Sequence, residues 1–320
     1  MTARATTGTD TSMDATANET NLAPELAARL AKVRGVMFDI DGCLLLADQP
    51  SGYGGTVLPG ALEVIETVRA TGRNFVCFTN GSFQTPTAIA TTLRELGLNV
   101  TDNQVMTPAV VAAETMATRY PGGRVLVFGG AGVTEPFAAR GVAMVEMDEA
   151  LAGRAGDVAA VVVGWDIEFG REKIVAAAEA VLAGAELYTT SAAPTFASHE
   201  RLNVGVSGFI AAGLTHVTGR PYKVLGKPSA EAFNAICSRT GAQPEEILVV
   251  GDDLRMEAGM ARAHGALGVL MTTGTNSRED AGEAGAEQTP DLILDSLEEL
   301  AALLQEHGAP MPAPTDEETP

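Results

Sequence analysis

The chain reads as an α/β protein: a doubly wound parallel sheet with a second, inserted α/β layer. Three observations lead there. Apolar runs of strand length alternate with amphipathic helical stretches, the order that builds βαβ units. Several of these runs stop abruptly at Asp, Thr, Gly or Lys, and in such sheets ligands gather beyond the carboxyl ends of the strands. Between two of the stops lies a stretch long enough for a compact extra unit.

Taken in order, residues 1–21 are Thr, Ala, Asp and Asn without apolar periodicity and are expected to lack structure. Leu22 to Ala31 forms an opening helix, and Val33 to Ile40 a buried strand. Leu44-Leu45-Leu46, a turn-rich stretch and Val57-Leu58 make a small hairpin flap. Pro59 opens a helix to about Ala70 with Leu62, Ile65 and Val68 on one face; strand Asn74–Phe78 and helix Thr85–Leu96 follow. In the second layer, strands are expected at 124–128, 158–163 and 186–190, and helices at 135–140 and 171–183. The first pattern then resumes with helix 207–218, an extended run 223–225, helix 229–239, strand 247–250, helix 255–264 and strand 267–271. Strand 292–294 and helix 297–305 close it. The domain plan is a core over 22–121 and 205–307, an insert over 122–204, and a disordered acidic tail over 308–320.

A net charge of −20 argues against nucleic acid or an anionic membrane as partner, since both need clustered Lys and Arg. No apolar run approaches the roughly 20 residues of a membrane span, and the first segment lacks a secretory apolar core, so a soluble cytoplasmic protein is expected. Three scattered cysteines make neither a disulfide framework nor a zinc site.

Four strand-end tips carry the chemistry: Asp39-Ile40-Asp41-Gly42, Thr79-Asn80-Gly81, Gly226-Lys227-Pro228 and Gly251-Asp252-Asp253. Residues i and i+2 of an extended chain point the same way, so Asp39 and Asp41 face one ligand, and two close carboxylates call for a cation. Gathered in one crevice, these groups suit phosphoryl transfer. Asp39 is the candidate nucleophile, giving an aspartyl-phosphate, and Asp41 the acid and base. Mg²⁺ is expected on Asp39, Asp252 and the main-chain oxygen of Asp41. Thr79 with the Asn80 and Gly81 amides would bind phosphate oxygens, and Lys227 would neutralise charge in the transition state.

These four motifs, in this order over about residues 33–305, resemble those of the haloacid dehalogenase superfamily (HAD) phosphatases. No cap fits between Asp41 and Thr79, whereas roughly 150 residues separate Thr79 from Lys227. This resembles subclass IIA, the nitrophenylphosphatase-like enzymes with an α/β cap after the second motif. The resemblance implies a HAD-like core, a small phosphorylated metabolite such as a sugar or glycerol phosphate as substrate, and allows a homodimer through the cap.

The sequence departs from that pattern in three places. The acid ending the fourth motif is Glu257 instead of Asp, which with Asp253 is a candidate to support the metal without binding it directly. Thr189-Thr190-Ser191-Ala192 stands where the family has a Thr-Asn-x-Asp. The loop from Ala47 to Val57 is long and glycine-rich. Two other readings stay open on these grounds: a binding or regulatory protein that has lost turnover, and a dehalogenase on the same fold, which would not need Asp41. Asp253 reads equally well as a helix-capping charge. Gly130-Ala131-Gly132 invites a dinucleotide reading, but the third glycine of that motif falls at Glu135. Thr195, Phe196, His199 and Arg201 lie in an irregular return segment that suits either substrate contact or a solvated loop.

Overall fold

The computed structural model describes residues 22–46, 55–196 and 203–307. Both expected disordered tails, most of the glycine-rich loop, His199 and Arg201 therefore lie outside the described residues.

The first part of the chain runs α1 (Pro24–Leu30), β1 (Gly35–Phe38), the flap hairpin β2 (Leu45–Leu46) and β3 (Thr56–Val57), α2 (Ala61–Ala70), β4 (Asn74–Phe78), α3 (Pro86–Glu95), β5 (Val105–Met106) and α4 (Pro108–Arg119). The middle holds β6 (Val125–Phe128), α5 (Ala131–Ala139), α6 (Met147–Leu151), β7 (Ala160–Val163), α7 (Arg171–Ala183), β8 (Glu186–Thr189), β9 (Thr195–Phe196), β10 (Asn203–Val204), α8 (Val206–Thr218) and β11 (Tyr222–Val224). The last part is α9 (Ala230–Thr240), β12 (Ile247–Gly251), a π-helical turn (Leu254–Ala258) running into α10 (Gly259–His264), β13 (Leu267–Met271), α11 (Arg278–Glu283), β14 (Leu292–Leu294) and α12 (Leu297–His307). Local chemistry sets several boundaries. Thr85 and Ser229 accept the Ala88 and Ala232 amides and so cap α3 and α9; left-handed glycines Gly219, Gly241 and Gly265 end α8, α9 and α10.

The core sheet is parallel throughout, in the order β14-β13-β12-β1-β4-β5. Strand order reverses at β1, the place where such sheets open a crevice. Phe38 is in register with both Val250 and Cys77, so the tips after β1, β4 and β12 emerge side by side. One sheet face carries Val36, Phe38, Phe75, Cys77, Leu248 and Val250, buried against α2, α3 and α12. The other carries Met37, Val76, Phe78, Ile247 and Val249, buried against α4, α9 and α10.

A second parallel sheet, β11-β8-β7-β6, forms the inserted layer. Its fourth strand and α8, which packs on β7, β8 and α7, lie beyond Val204, where the insert is expected to end; the sheet of the second layer takes in residues up to Val224. The short run at 222–224 looks too weak alone to announce a sheet strand; it is stabilised by pairing with Leu187, Tyr188 and Thr189. Helix α5 starts at Ala131, four residues before the expected Glu135, with Pro136 inside it. Among the described residues no helix is long and apolar enough to cross a membrane.

Candidate active site

At the end of β1 the Asp39 amide still donates to Val250 O (2.8 Å), so the sheet itself holds this residue, and its side chain is buried. The chain then turns tightly. Leu44 and Leu45 both donate to Ile40 O (3.0 and 2.9 Å), and Gly42 donates to Leu45 O (2.7 Å). Gly42 has φ +85°, and a Cβ there would sit 2.3 Å from Asp252 Oδ2. Only glycine allows both the turn and that approach. Asp41 accepts a hydrogen bond from Thr79 Oγ1 (3.0 Å), and the Gly81 amide in turn donates to Thr79 Oγ1 (3.0 Å).

Lys227 is buried between two carboxylates, donating to Asp39 Oδ1 and to Glu257 Oε1, the latter at 2.7 Å. Its ammonium also lies 5.5 Å from the centre of the Phe78 ring, within cation–π range. Burial alone would lower the Lys227 pKa; the charges of Asp39 and Glu257 outweigh it and hold the ammonium above its ordinary range. The Asn80 side chain grips the lysine's main chain at both ends: Nδ2 donates to Lys227 O (3.1 Å) and Oδ1 accepts from Lys227 N (2.9 Å).

Asp252, one step beyond β12, is boxed in by backbone. A Cβ on Gly274 would meet its Oδ2 at 2.0 Å, and the Thr275 amide donates to that same oxygen at 2.6 Å. Asn276 ties the loop down from both sides. Its amide donates to Asp252 O (3.0 Å), and its Oδ1 accepts from Leu254 N (2.9 Å). Glu257 sits on the π-helical turn, an irregularity often found at functional sites; its Oε2 accepts the Asp253 amide at 3.1 Å. The Asp253 side chain points elsewhere and accepts the Arg255 and Met256 amides (2.8 and 2.9 Å), the capping role.

Oxygens of Asp39, Asp252 and Glu257 lie within 4.8 Å of one another. Burial pushes all three carboxyls up. For Asp39 the charge of Asp41 adds to this against the opposing pull of Lys227; Asp252 reaches about 6, helped by Asp39; Glu257 rises with Asp39 and Asp252 beside it. Three buried carboxylates and one ammonium leave two negative charges uncompensated among these four side chains. An all-oxygen donor set with that deficit fits a hard divalent cation such as Mg²⁺.

Of the expected site residues, Asp39, Asp41, Thr79, Asn80, Lys227, Asp252 and Glu257 are brought together here. Glu257 stands in the cluster with Asp39 and Asp252, because the π turn aims its carboxylate at Lys227 and at them. The loop Thr272 to Asn276 went unread in the sequence. Its signal was present: a small polar run with a glycine directly after an apolar strand, as at the other tips. Gly132 has its own explanation, since a Cβ there would meet the carbonyl oxygens of Ser82, Phe83 and Gln84 at 2.5–2.7 Å; it permits close packing of the second layer on the core. Trp165 packs edge-on against Phe83. Cys77 is buried, its thiol pushed up to about 12 by burial, as befits a packing residue.

Two family models of haloacid dehalogenase-like hydrolases match residues 36–143 and 224–300. The chain is 31% identical over 266 residues to a D-glycerol 3-phosphate phosphatase of Mycobacterium tuberculosis, covering 83% of this chain and 70% of that one. It is 29% identical to rat chronophin, covering 89% and 91%. Among solved structures, a 4-nitrophenylphosphatase of Thermotoga maritima superposes with a TM-score of 0.74 at 28% identity, covering 86% of this chain and 98% of that one. The M. tuberculosis glycerol phosphate phosphatase in complex with magnesium gives 0.73 at 28% identity, covering 85% and 77%. Fold and site together define a hydrolase of phosphate monoesters. The chain belongs to the haloacid dehalogenase-like hydrolases, in their nitrophenylphosphatase-like subclass IIA.

Proposed function

We propose that the protein is a Mg²⁺-dependent phosphatase that hydrolyses a small phosphate monoester, of the sugar phosphate or glycerol phosphate kind, through an aspartyl-phosphate on Asp39. The observation that carries this is the buried Asp39 carboxylate, held by the Lys227 ammonium that also meets Glu257, and clustered with the acids Asp252 and Glu257. Asp39 attacks phosphorus, and the bond to the ester oxygen breaks. Asp41, oriented by Thr79, gives its proton to the departing alkoxide and later takes one from the water that attacks the acyl-phosphate. Lys227 balances the charge on the phosphoryl oxygens. Asp39 and Asp252, with Glu257 close by, would hold Mg²⁺, which supplies charge neutralisation for the phosphoryl group.

The second layer, residues 122–224 in this reading, is the cap that selects the substrate. Glu257 supports turnover over the reading as a disabled binding protein, because its longer side chain reaches both the cluster and Lys227. The paired acids Asp41 and Asp252 count against carbon–halogen hydrolysis. A phosphate-release screen over small phosphate esters tests the proposal. Release with Mg²⁺, abolished by EDTA, is expected; chloride release from haloacids without metal would replace it with the dehalogenase reading.

A further inference from the structure

Lys227 stands only three positions beyond Val224, the last residue of β11, so the chain that delivers it has just left the second sheet. Untethered, its ammonium would follow any shift of that layer. Asn80, at the tip of the core strand β4 and 147 residues away in sequence, meets this lysine's main chain with a donor and an acceptor. Gly226 makes room for the grip: a Cβ there would sit 2.7 Å from Asn80 Oδ1 and 2.4 Å from Thr190 O. The Asn80 side chain thus has its amide engaged by the peptide of the lysine, whatever its own main-chain amide does.

We propose that Asn80 is a positioning residue for Lys227: its side-chain amide fixes the returning chain to the core so that the ammonium stays on Asp39 and Glu257. The role of the lysine in phosphoryl transfer rests on the phosphatase reading; the tether itself does not. Replacing the amide leaves Lys227 N–H and C=O without their partner, and displacement of a catalytic group by about 1 Å costs on the order of 100-fold in rate. Asn80→Asp retains the acceptor for Lys227 N but sets a carboxylate oxygen against Lys227 O, so it is no better than alanine.

Two measurements test this. The first is independent of catalysis: the protein holds four lysines, and amine-reactive labelling read by mass spectrometry reports each one. Lys227 is expected to be protected in the native protein and to label at least several-fold faster in folded Asn80→Ala, with Lys32, Lys173 and Lys223 unchanged as references. Equal protection of Lys227 in the variant overturns the tether. The second is a double-mutant cycle on phosphate release. Asn80→Ala and Asn80→Asp should lower kcat by about 10- to 100-fold in the native background, and by less than about threefold when Lys227 is already alanine. Equal losses in both backgrounds, or near-native rates in both Asn80 variants, would overturn it. An inactive native enzyme would instead count against the phosphatase reading, leaving the labelling result to decide the tether.

Discussion

Asp252 shows what a buried acid costs when its neighbours are acids too. Its carboxyl, pushed from 3.8 up to about 6 by burial and by Asp39, resists ionisation by about 3 kcal/mol at neutral pH. The raised pKa fixes the sign: without metal, the folded protein binds this proton more tightly than the unfolded chain. The stabilisation is complete below the unfolded value near 4 and is lost as pH rises through about 6. Metal-free protein should therefore lose several degrees of Tm between pH 5 and 7. Asp252→Asn should flatten that slope, and Mg²⁺ should raise the Tm of the native protein at pH 7.5 but not that of the variant. Scanning calorimetry at two pH values checks this, and a slope unchanged in the variant contradicts it. Glu257 works through reach. Glu257→Asp shortens the arm that meets Lys227 at 2.7 Å, and kcat is expected to fall about 10-fold, with weaker Mg²⁺ activation, as a misplaced charge partner would produce.

At the scale of elements, three of the four tips, those at Asp39, Thr79 and Asp252, were legible because a strand end is marked twice, by the close of an apolar run and by the polar residues after it. Asp39 and Thr79 could be placed at the crevice without any contact being known. What stayed hidden depended on partners distant in sequence. The Asn80 side chain reads as a turn former until Lys227 is beside it, and the loop at Gly274 acquires meaning only from Asp252. Helix α4 was also unread, although Pro108 marks its start; its first half, Pro108 to Ala113, is buried all round, so no polar face marks it there. The start of α5 is a comparable case, where the absent side chain of Gly132 lets the helix end rest on the carbonyls of Ser82 to Gln84. Gly132→Ala puts a methyl group into that contact and is expected to cost about 1–3 kcal/mol, measurable by urea unfolding. A cost under a few tenths would show that the seam yields.

In the whole molecule, the two sheets share one hydrophobic cluster. Val125, Val127, Ala160, Val162 and Tyr188 of the second sheet and Met37, Val76 and Phe78 of the first belong to it together with α4. The seam is finished in polar contacts: Tyr188 OH receives a hydrogen bond from Arg119 (2.8 Å) and donates to Glu186 (2.5 Å), which Lys223 also reaches at 2.6 Å. Hydrogen bonds from Lys223 and the tyrosines hold the Glu186 carboxyl down at about 2, so this lock does not titrate near neutrality. The layers should accordingly unfold together, giving one calorimetric transition; two well-separated transitions would mean that the cap folds by itself. The sequence suggests an insert over 122–204; that the second sheet also draws in Tyr222–Val224 depends on strand pairing that no local pattern announces.

Asp39 is the residue on which the account turns, and a rapid-quench experiment interrogates it directly. The protein is mixed with a reactive phosphate ester and Mg²⁺, stopped in acid, and mapped by peptide mass spectrometry. One phosphoryl group on Asp39, formed only with Mg²⁺ and absent from Asp39→Asn, is the predicted result. Phosphate release by Asp39→Asn at the native rate, or a phosphoryl group trapped on another residue, would contradict it.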